Sequence, residues 1–459
     1  MGKVWRNTLW KLLSLAGAKL LIFAFTLIAA RWLSLPDFGY LSFALAYAQI
    51  AFVLIDAGVS TALWREASTA DDHGIRGYLS AHRLRPYTEI IGLALVLAGL
   101  GLFDLPAEAQ ILVVVIGLGT GIDAVTNLDQ AILRSRERLG SEAAVSLLGR
   151  GVFVLLALAM MTIGAGLIGI GAAYLAGHLC GLVLSRRLVS FAEARPSSTD
   201  PTPVNLLRLA LPLAAVNFFT VIYFRIDTVM LQGLAGPEPA GLYNAAYRLM
   251  EAAMMIPAAL LTALFPRLAR RVENFKDGLA PEPLARLLVH VATAGAAFGI
   301  AFAPEVLALF FGRPFVAAAT TLRILLVALW IIYVNYLLTN LLIAYRRQNA
   351  FARMAGVCAL VNVGLNAALI PWWSIAGSAF ATMLTEAILL AFAWRELRAQ
   401  GAPLRLQNLT FSLHYGAIFL GLLLVTKSFS VRWAAATGVT MLLLWTGGAA
   451  WRFHQKALR

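Results

Sequence analysis

The sequence predicts an all-α integral membrane protein, and three observations carry that prediction. The chain has 459 residues, of which 60% are hydrophobic and 13% charged, whereas a soluble domain carries about a quarter charged residues. Its apolar runs repeatedly exceed the roughly 20 residues that cross the hydrocarbon of a bilayer. Lys and Arg collect at alternate breaks between those runs. Barrel strands are excluded, because each would need only about 10 residues and would alternate polar with apolar. These runs are longer and apolar on every side, and helices satisfy their own backbone groups in lipid.

Apolar runs divided at basic and turn-forming breaks give about fourteen transmembrane helices: 12–33, 38–64, 86–103, 108–133, 145–163, 167–190, 206–234, 240–265, 284–303, 320–343, 350–370, 374–394, 411–426 and 432–451. The segment Met1–Lys11 has no short hydrophobic stretch followed by a cleavage site, so the run after it is expected to stay as a spanning helix. Short breaks separate the helices on one side: Pro36-Asp37-Phe38-Gly39, Asp104–Ala107, Gly164–Gly166, Ala235–Pro239 and Pro371-Trp372-Trp373. Only Pro304–Ala319 is a long connection there, and it too is apolar.

Two helices near the middle form a hairpin, with a turn opened by Ala235 and Gly236 and closed by Gly241. An internal repeat relates the halves. Gly39-Tyr40-Leu41-Ser42-Phe43-Ala44 corresponds to Gly241-Leu242-Tyr243-Asn244-Ala245-Ala246, and Gly171-Ala172-Ala173-Tyr174 to Gly377-Ser378-Ala379-Phe380. Six helices return the chain to its starting side, so the expected plan is two six-helix pseudo-symmetric lobes plus two C-terminal helices, with parallel repeats of a kind known in transporters. The lobes are expected at 1–190 and 206–397, with a linker at 191–205 and the added pair with its tail at 398–459. The linker holds Arg195-Pro196-Ser197-Ser198-Thr199-Asp200-Pro201.

With the amino terminus inside, 28 of the 37 basic residues fall in cytoplasmic segments and only Arg313, Lys427 and Arg432 in the opposite ones. This bias sets both termini in the cytoplasm. The net charge of +14 is therefore topological. It argues for anionic membrane lipids as the contact and against a nucleic-acid partner. Cys180 and Cys358 both lie in apolar runs, so neither a disulfide framework nor a metal–thiolate site is expected. No metal ligand set or resident cofactor is read from the chain.

Charges inside the spans are the costly residues, each about +2.5 to +3.5 kcal/mol at the centre of a lipid-facing helix. Arg225 and Asp227 fall in the outer half of their helix, Arg248 in the outer half of the next, and Glu251 near its middle. The two arginines are thus expected at similar depth. Lys19, Asp56, Asp123 and Glu386 add one cation and three acids in other spans. A hydrated cavity with a cationic upper region follows, suited to an anionic cargo, since guanidinium groups pair with phosphate oxygens. A carboxyl facing apolar surroundings can hold a proton, which offers a coupling site. Local ion pairing is the competing account for Arg248 and Glu251, as is a packing role for Asp56, Asp123 and Glu386. His178 and His290 are read as interhelical packing groups.

Three groups of residues resemble the polysaccharide-unit flippases of the multidrug/oligosaccharidyl-lipid/polysaccharide exporter superfamily. They are Ala30 to Gly39; Arg225-Ile226-Asp227-Thr228-Val229-Met230-Leu231 followed by Ala240 to Leu249, Pro257 and Leu264 to Leu268; and Ala303 to Leu307 with Leu309 to Gly312 and Leu322 to Leu325. The resemblance implies a bacterial inner-membrane protein, not an enzyme, that moves a polyprenyl-diphosphate-linked oligosaccharide from the cytoplasmic to the outer leaflet by alternating access. It makes Arg225, Arg248 and Lys19 candidate substrate contacts. It makes Asp227, Glu251, Asp56, Asp123 and Glu386 candidates for orienting charge or coupling to protons or sodium ions. It also implies a polysaccharide polymerase and export machinery as partners of a chain that can act as a monomer. Three other functions compete: a peptidoglycan-precursor lipid flippase, a cation-coupled drug antiporter and an intramembrane glycosyltransferase or polymerase.

Overall fold

The computed structural model describes residues 2–69, 77–189, 201–272, 282–401, 419–425, 427, 438 and 440. Every regular element among them is helical: α1 (Gly2–Trp32), α2 (Leu35–Asp56), α3 (Val59–Thr69), α4 (Tyr78–Leu100), α5 (Ala107–Ser135), α6 (Leu139–Thr162), α7 (Gly166–Leu188), α8 (Pro203–Ala235), α9 (Pro237–Val272), α10 (Glu282–Ala301), α11 (Ala303–Phe310), a 3-10 turn at Arg313–Ala318, α12 (Ala319–Ala344) and α13 (Gln348–Ala399). Eight helices among the described residues are long and apolar enough to cross a membrane. The expected architecture therefore stands as an all-α, multi-pass membrane protein, with the number of crossings left open. The expected helix 432–451, most of 411–426 and most of the 191–205 linker lie outside the described residues.

Several expected boundaries need correction. The run 38–64 is not one helix. Ala57 (φ 46°) and Gly58 (φ 73°) break it into α2 and α3, and such left-handed backbone is where a helix ends. A Cβ on Gly58 would lie 2.5 Å from the Ala210 carbonyl oxygen and 2.8 Å from the Ala214 nitrogen of α8. The break is thus the slot into which α8 packs. Pro36-Asp37-Phe38-Gly39 is not a loop but the first turn of α2, where the Ser34 hydroxyl accepts from the Asp37 amide at 3.2 Å and caps the helix. The long connection 304–319 is α11 and the 3-10 turn.

The central turn is shorter than expected, because Gly236 (φ 94°) alone reverses the chain and Pro237 already opens α9. A Cβ on Gly39 would collide with the Pro237 carbonyl, and one on Gly241 would lie 3.1 Å from the Gly39 nitrogen. The paired glycines of the repeat therefore meet backbone to backbone. The expected break at Pro371-Trp372-Trp373 narrows in the same way, to Ser374 (φ 46°, ψ −125°) within α13. Ser378 donates to Asn366 at 2.8 Å, although residues that far apart in a straight helix would be separated by about 18 Å. α13 is therefore a hairpin of two limbs, here called the first (to Trp373) and the second (from Ile375).

The chain's contacts divide it into two units, Met1–Gly241 and Leu242–Arg459. In the first, α5 packs on α2, α3, α4 and α7, α1 packs on α6, and α8 lies on α2, α3 and α4. Leu63, Leu84, Leu128, Ile132, Leu206 and Ala210 share one buried cluster. α8 is buried only near its ends, at Leu206 and Ala210 and again from Asp227 to Gln232. Its apolar middle is left to lipid or solvent. In the second unit, α12 packs on α10, α11 and α13.

Candidate functional site

Arg225 stands on α8 and donates from Nε to Gln49 Oε1 of α2 at 2.8 Å. Gln49 is pre-set for this, because its amide nitrogen donates back to the Leu45 carbonyl at 3.2 Å and leaves the oxygen for the arginine. Both side chains are half-buried. Sequence reasoning passed over Gln49, whose signal was an amide inside an apolar run. Asp227, two residues on, is buried. Residues two apart on a helix do not face each other, so Asp227 packs inward while Arg225 points to a half-open side.

On α9, Arg248 Nη1 binds Glu251 Oε2 at 2.9 Å, and Nε reaches Asn244 Oδ1 at 3.4 Å. These residues follow the i, i+4, i+7 spacing of one helix face. The guanidinium group is thus held between an amide and a carboxylate, and its side chain is 13% exposed. Arg225 belongs to the first unit and Arg248 to the second. Lys19 is exposed on α1.

The remaining acids differ in how they are held. Asp56 is buried against Arg85 of α4 at 2.9 Å, and Ser60 also donates to it. Arg85 further donates to the Ile55 carbonyl at 3.1 Å, one of the carbonyls left without a helical partner by the break after α2. Glu386, on the second limb of α13, accepts from the Asn335 amide of α12 at 2.7 Å and is buried. Asp123 of α5 faces His178 Nδ1 of α7 at 3.3 Å, with side chains 34% and 19% exposed. Among the described residues no three His, Cys, Asp or Glu groups come together to hold a metal ion.

Arg225 is thus oriented by an amide, and Arg248 by an amide and a carboxylate. Residues 4–272 match the family described as polysaccharide biosynthesis protein, more than half of the chain. The chain belongs to that family. Residues 212–368 also match the MatE family. No curated protein matches the sequence.

Among solved structures, the family member is similar to the lipid II flippase MurJ in an inward closed conformation, at 12% identity over 98% of this chain and 99% of that one, with a TM-score of 0.73. It is similar to a multidrug resistance MATE family transporter of the MOP superfamily in an inward-facing conformation, at 16% identity over 84% of this chain and 96% of that one, with a TM-score of 0.69. A MOP superfamily transporter from Pyrococcus furiosus, described as having a binding pocket of reversed polarity, aligns at 16% identity over 86% of this chain and 96% of that one, with a TM-score of 0.56. These identities establish the shared fold. With the family match they make the chain a membrane transporter of the MOP superfamily rather than an enzyme.

Proposed function

We propose that this family member flips a polyprenyl-diphosphate-linked oligosaccharide repeat unit from the cytoplasmic to the outer leaflet of the bacterial inner membrane, for cell-surface or exopolysaccharide synthesis. The observation that carries the reading is Arg225, a permanent cation on a spanning helix, steered by the neutral Gln49 amide. Arg248, braced by Asn244 and Glu251, supplies a second guanidinium on α9, and Lys19, exposed on α1, meets the headgroup as it enters. Diphosphate oxygens accept paired hydrogen bonds from guanidinium groups. Asp227 and Glu251 set the local charge around the two arginines. The two lobes of the repeat alternate access to the cargo, both termini lie in the cytoplasm, and transport is coupled to protons or sodium ions. The monomer hands its cargo to a polymerase and export machinery.

Reconstituted protein should accelerate leaflet exchange of a labelled polyprenyl-diphosphate sugar, and Arg225→Ala or Arg248→Ala should slow it about tenfold or more, the value of a lost charged hydrogen bond. Wild-type protein without acceleration sinks the reading. New glycosidic products would point instead to a polymerase. The extended likeness to MurJ favours a second reading, a peptidoglycan-precursor flippase with the same diphosphate chemistry. Competition between the two lipid-linked cargoes separates these readings. A cationic drug fits poorly, because Arg225, Arg248 and Lys19 would repel it.

A further inference from the structure

We infer that the open middle of α8 is the saccharide subsite of this transporter, where Asn217, Thr220 and Phe224 hold the sugar next to the diphosphate and decide which sugar is accepted. Ala210, Ala214, Asn217, Val221, Phe224 and Thr228 follow one another at steps of four and three residues and so share one face of α8. At its two ends that face is closed: Ala210 and Ala214 enter the slot at Gly58, and Thr228 is buried. Between them it opens, with Asn217 exposed and Val221 and Phe224 half-buried. Thr220, one turn from both Asn217 and Phe224, is exposed as well. The face that packs at both ends therefore borders an opening at its centre.

The occupant of that opening is polar. α8 has 33 residues and is about 50 Å long against about 30 Å of hydrocarbon. Asn217 and Thr220 flank its midpoint and so lie deep in the membrane. An amide turned to lipid at that depth would strand two donors and an acceptor, and polar groups inside membranes accordingly face cavities. An acyl chain is therefore the wrong occupant. A phosphate is wrong at this level too, because the three side chains are neutral. The cation stands at one end instead. Arg225 follows Val221 by one turn and binds Gln49 at 2.8 Å, about 7.5 Å beyond Thr220 along the helix axis and about 12 Å beyond Asn217.

A pyranose ring suits what remains, since it carries hydroxyls that both donate and accept and, on its flatter side, a patch of C–H groups. Asn217 offers both donors and an acceptor. Thr220 donates its proton to the Val216 carbonyl at 2.8 Å, which leaves its oxygen to accept from a sugar hydroxyl. Phe224 stands edge to face with Tyr223, ring centres 5.1 Å apart at 89°. That packing steadies a ring whose face is partly negative and attracts the C–H patch. The inference rests on the flippase reading for the cargo, and it adds the place where the sugar is read.

The test is equilibrium binding of a short polyprenyl diphosphate to the purified protein, bare or carrying one glucose, galactose or N-acetylglucosamine. Wild-type protein should bind at least one glycosylated form about tenfold more tightly than the bare lipid, the effect of one or two neutral hydrogen bonds. Asn217→Leu and Phe224→Leu should each bring that ratio down toward one with the affinity for the bare lipid unchanged, whereas Phe224→Trp, which keeps an aromatic face, should retain it. Arg225→Ala should weaken every form alike and leave the ratio standing. A bare lipid bound without preference for any of the sugars, or a preference that survives both leucine substitutions, overturns the inference alone. Protein that binds neither bare nor glycosylated lipid sinks the flippase reading and the inference together. Thermal melting identifies a variant that fails to fold, and the other then decides. A separate measurement needs no cargo: in vesicles, Asn217→Cys in a chain with Cys180 and Cys358 replaced by Ala should react with a water-soluble maleimide. A thiol at 217 that water-borne reagent never reaches faces lipid or protein, and that result also overturns the inference.

Discussion

Asp123 and Asp129 stand less than two turns apart on α5 and do opposite things. Asp129 is fully buried and saturated: it accepts from Tyr78 of α4 and Ser185 of α7 at 2.7 Å each, and Arg186 stands 3.3 Å away. It ties three helices together, and His82 of α4 also stands 3.8 Å from it. Asp123 is partly open and faces a histidine. The difference is one of burial and of the number of partners: Asp129 is closed off by groups of α4 and α7, whereas Asp123 is left partly exposed.

The comparison can be broken most forcefully at Asp129. Removing one member of a buried charge pair costs about 3–5 kcal/mol, so Asp129→Ala should lower the melting temperature in detergent far more than any substitution at Asp123. Equal losses at the two sites would erase the distinction. The second unit supplies an intermediate case. Asn335 occupies the repeat-related position of Asp129, 206 residues on, and donates to the buried Glu386. Here the acid has moved to the neighbouring helix and its partner is a neutral amide. Glu386→Gln preserves an oxygen for Asn335 and should cost about 1 kcal/mol, read from the same melting curves. A loss as large as that of Asp129→Ala would place Glu386 in a tightly coupled charge network. The smallest effect is expected at Asp123 itself, where Asp123→Asn should change stability by less than about 1 kcal/mol, as for partly exposed pairs.

Much of the fold was legible because uninterrupted apolar runs have few ways to exist. What the sequence hid was a break inside such a run. Ala57-Gly58 falls inside the expected run 38–64, and only the packing of α8 reveals it, whereas a break was expected at Pro371-Trp372-Trp373 and lies one residue further on, at Ser374. The intramembrane charges were readable from cost alone, but their partners were not. Gln49 is distant in sequence from Arg225, and His178 from Asp123. Arg85 falls in one of the basic breaks counted as cytoplasmic, yet it is buried under the end of α2. Partners of this kind are set by which helices adjoin, and no local pattern encodes that.

α8 is gripped at Ala210 and Ala214, where it enters the slot beside Gly58, and again from Asp227 to Gln232, with a more open length between that is tied to α2 at Arg225. Pro212 stands within the first grip, and its missing amide and its ring weaken the backbone ladder there. A rod clamped at both ends and softened near one of them bows when its clamps shift. Arg225 sits just before the second clamp, so any such bowing would swing its guanidinium group about Gln49 and turn small displacements of the amino-terminal end of α8 into movement of the cation.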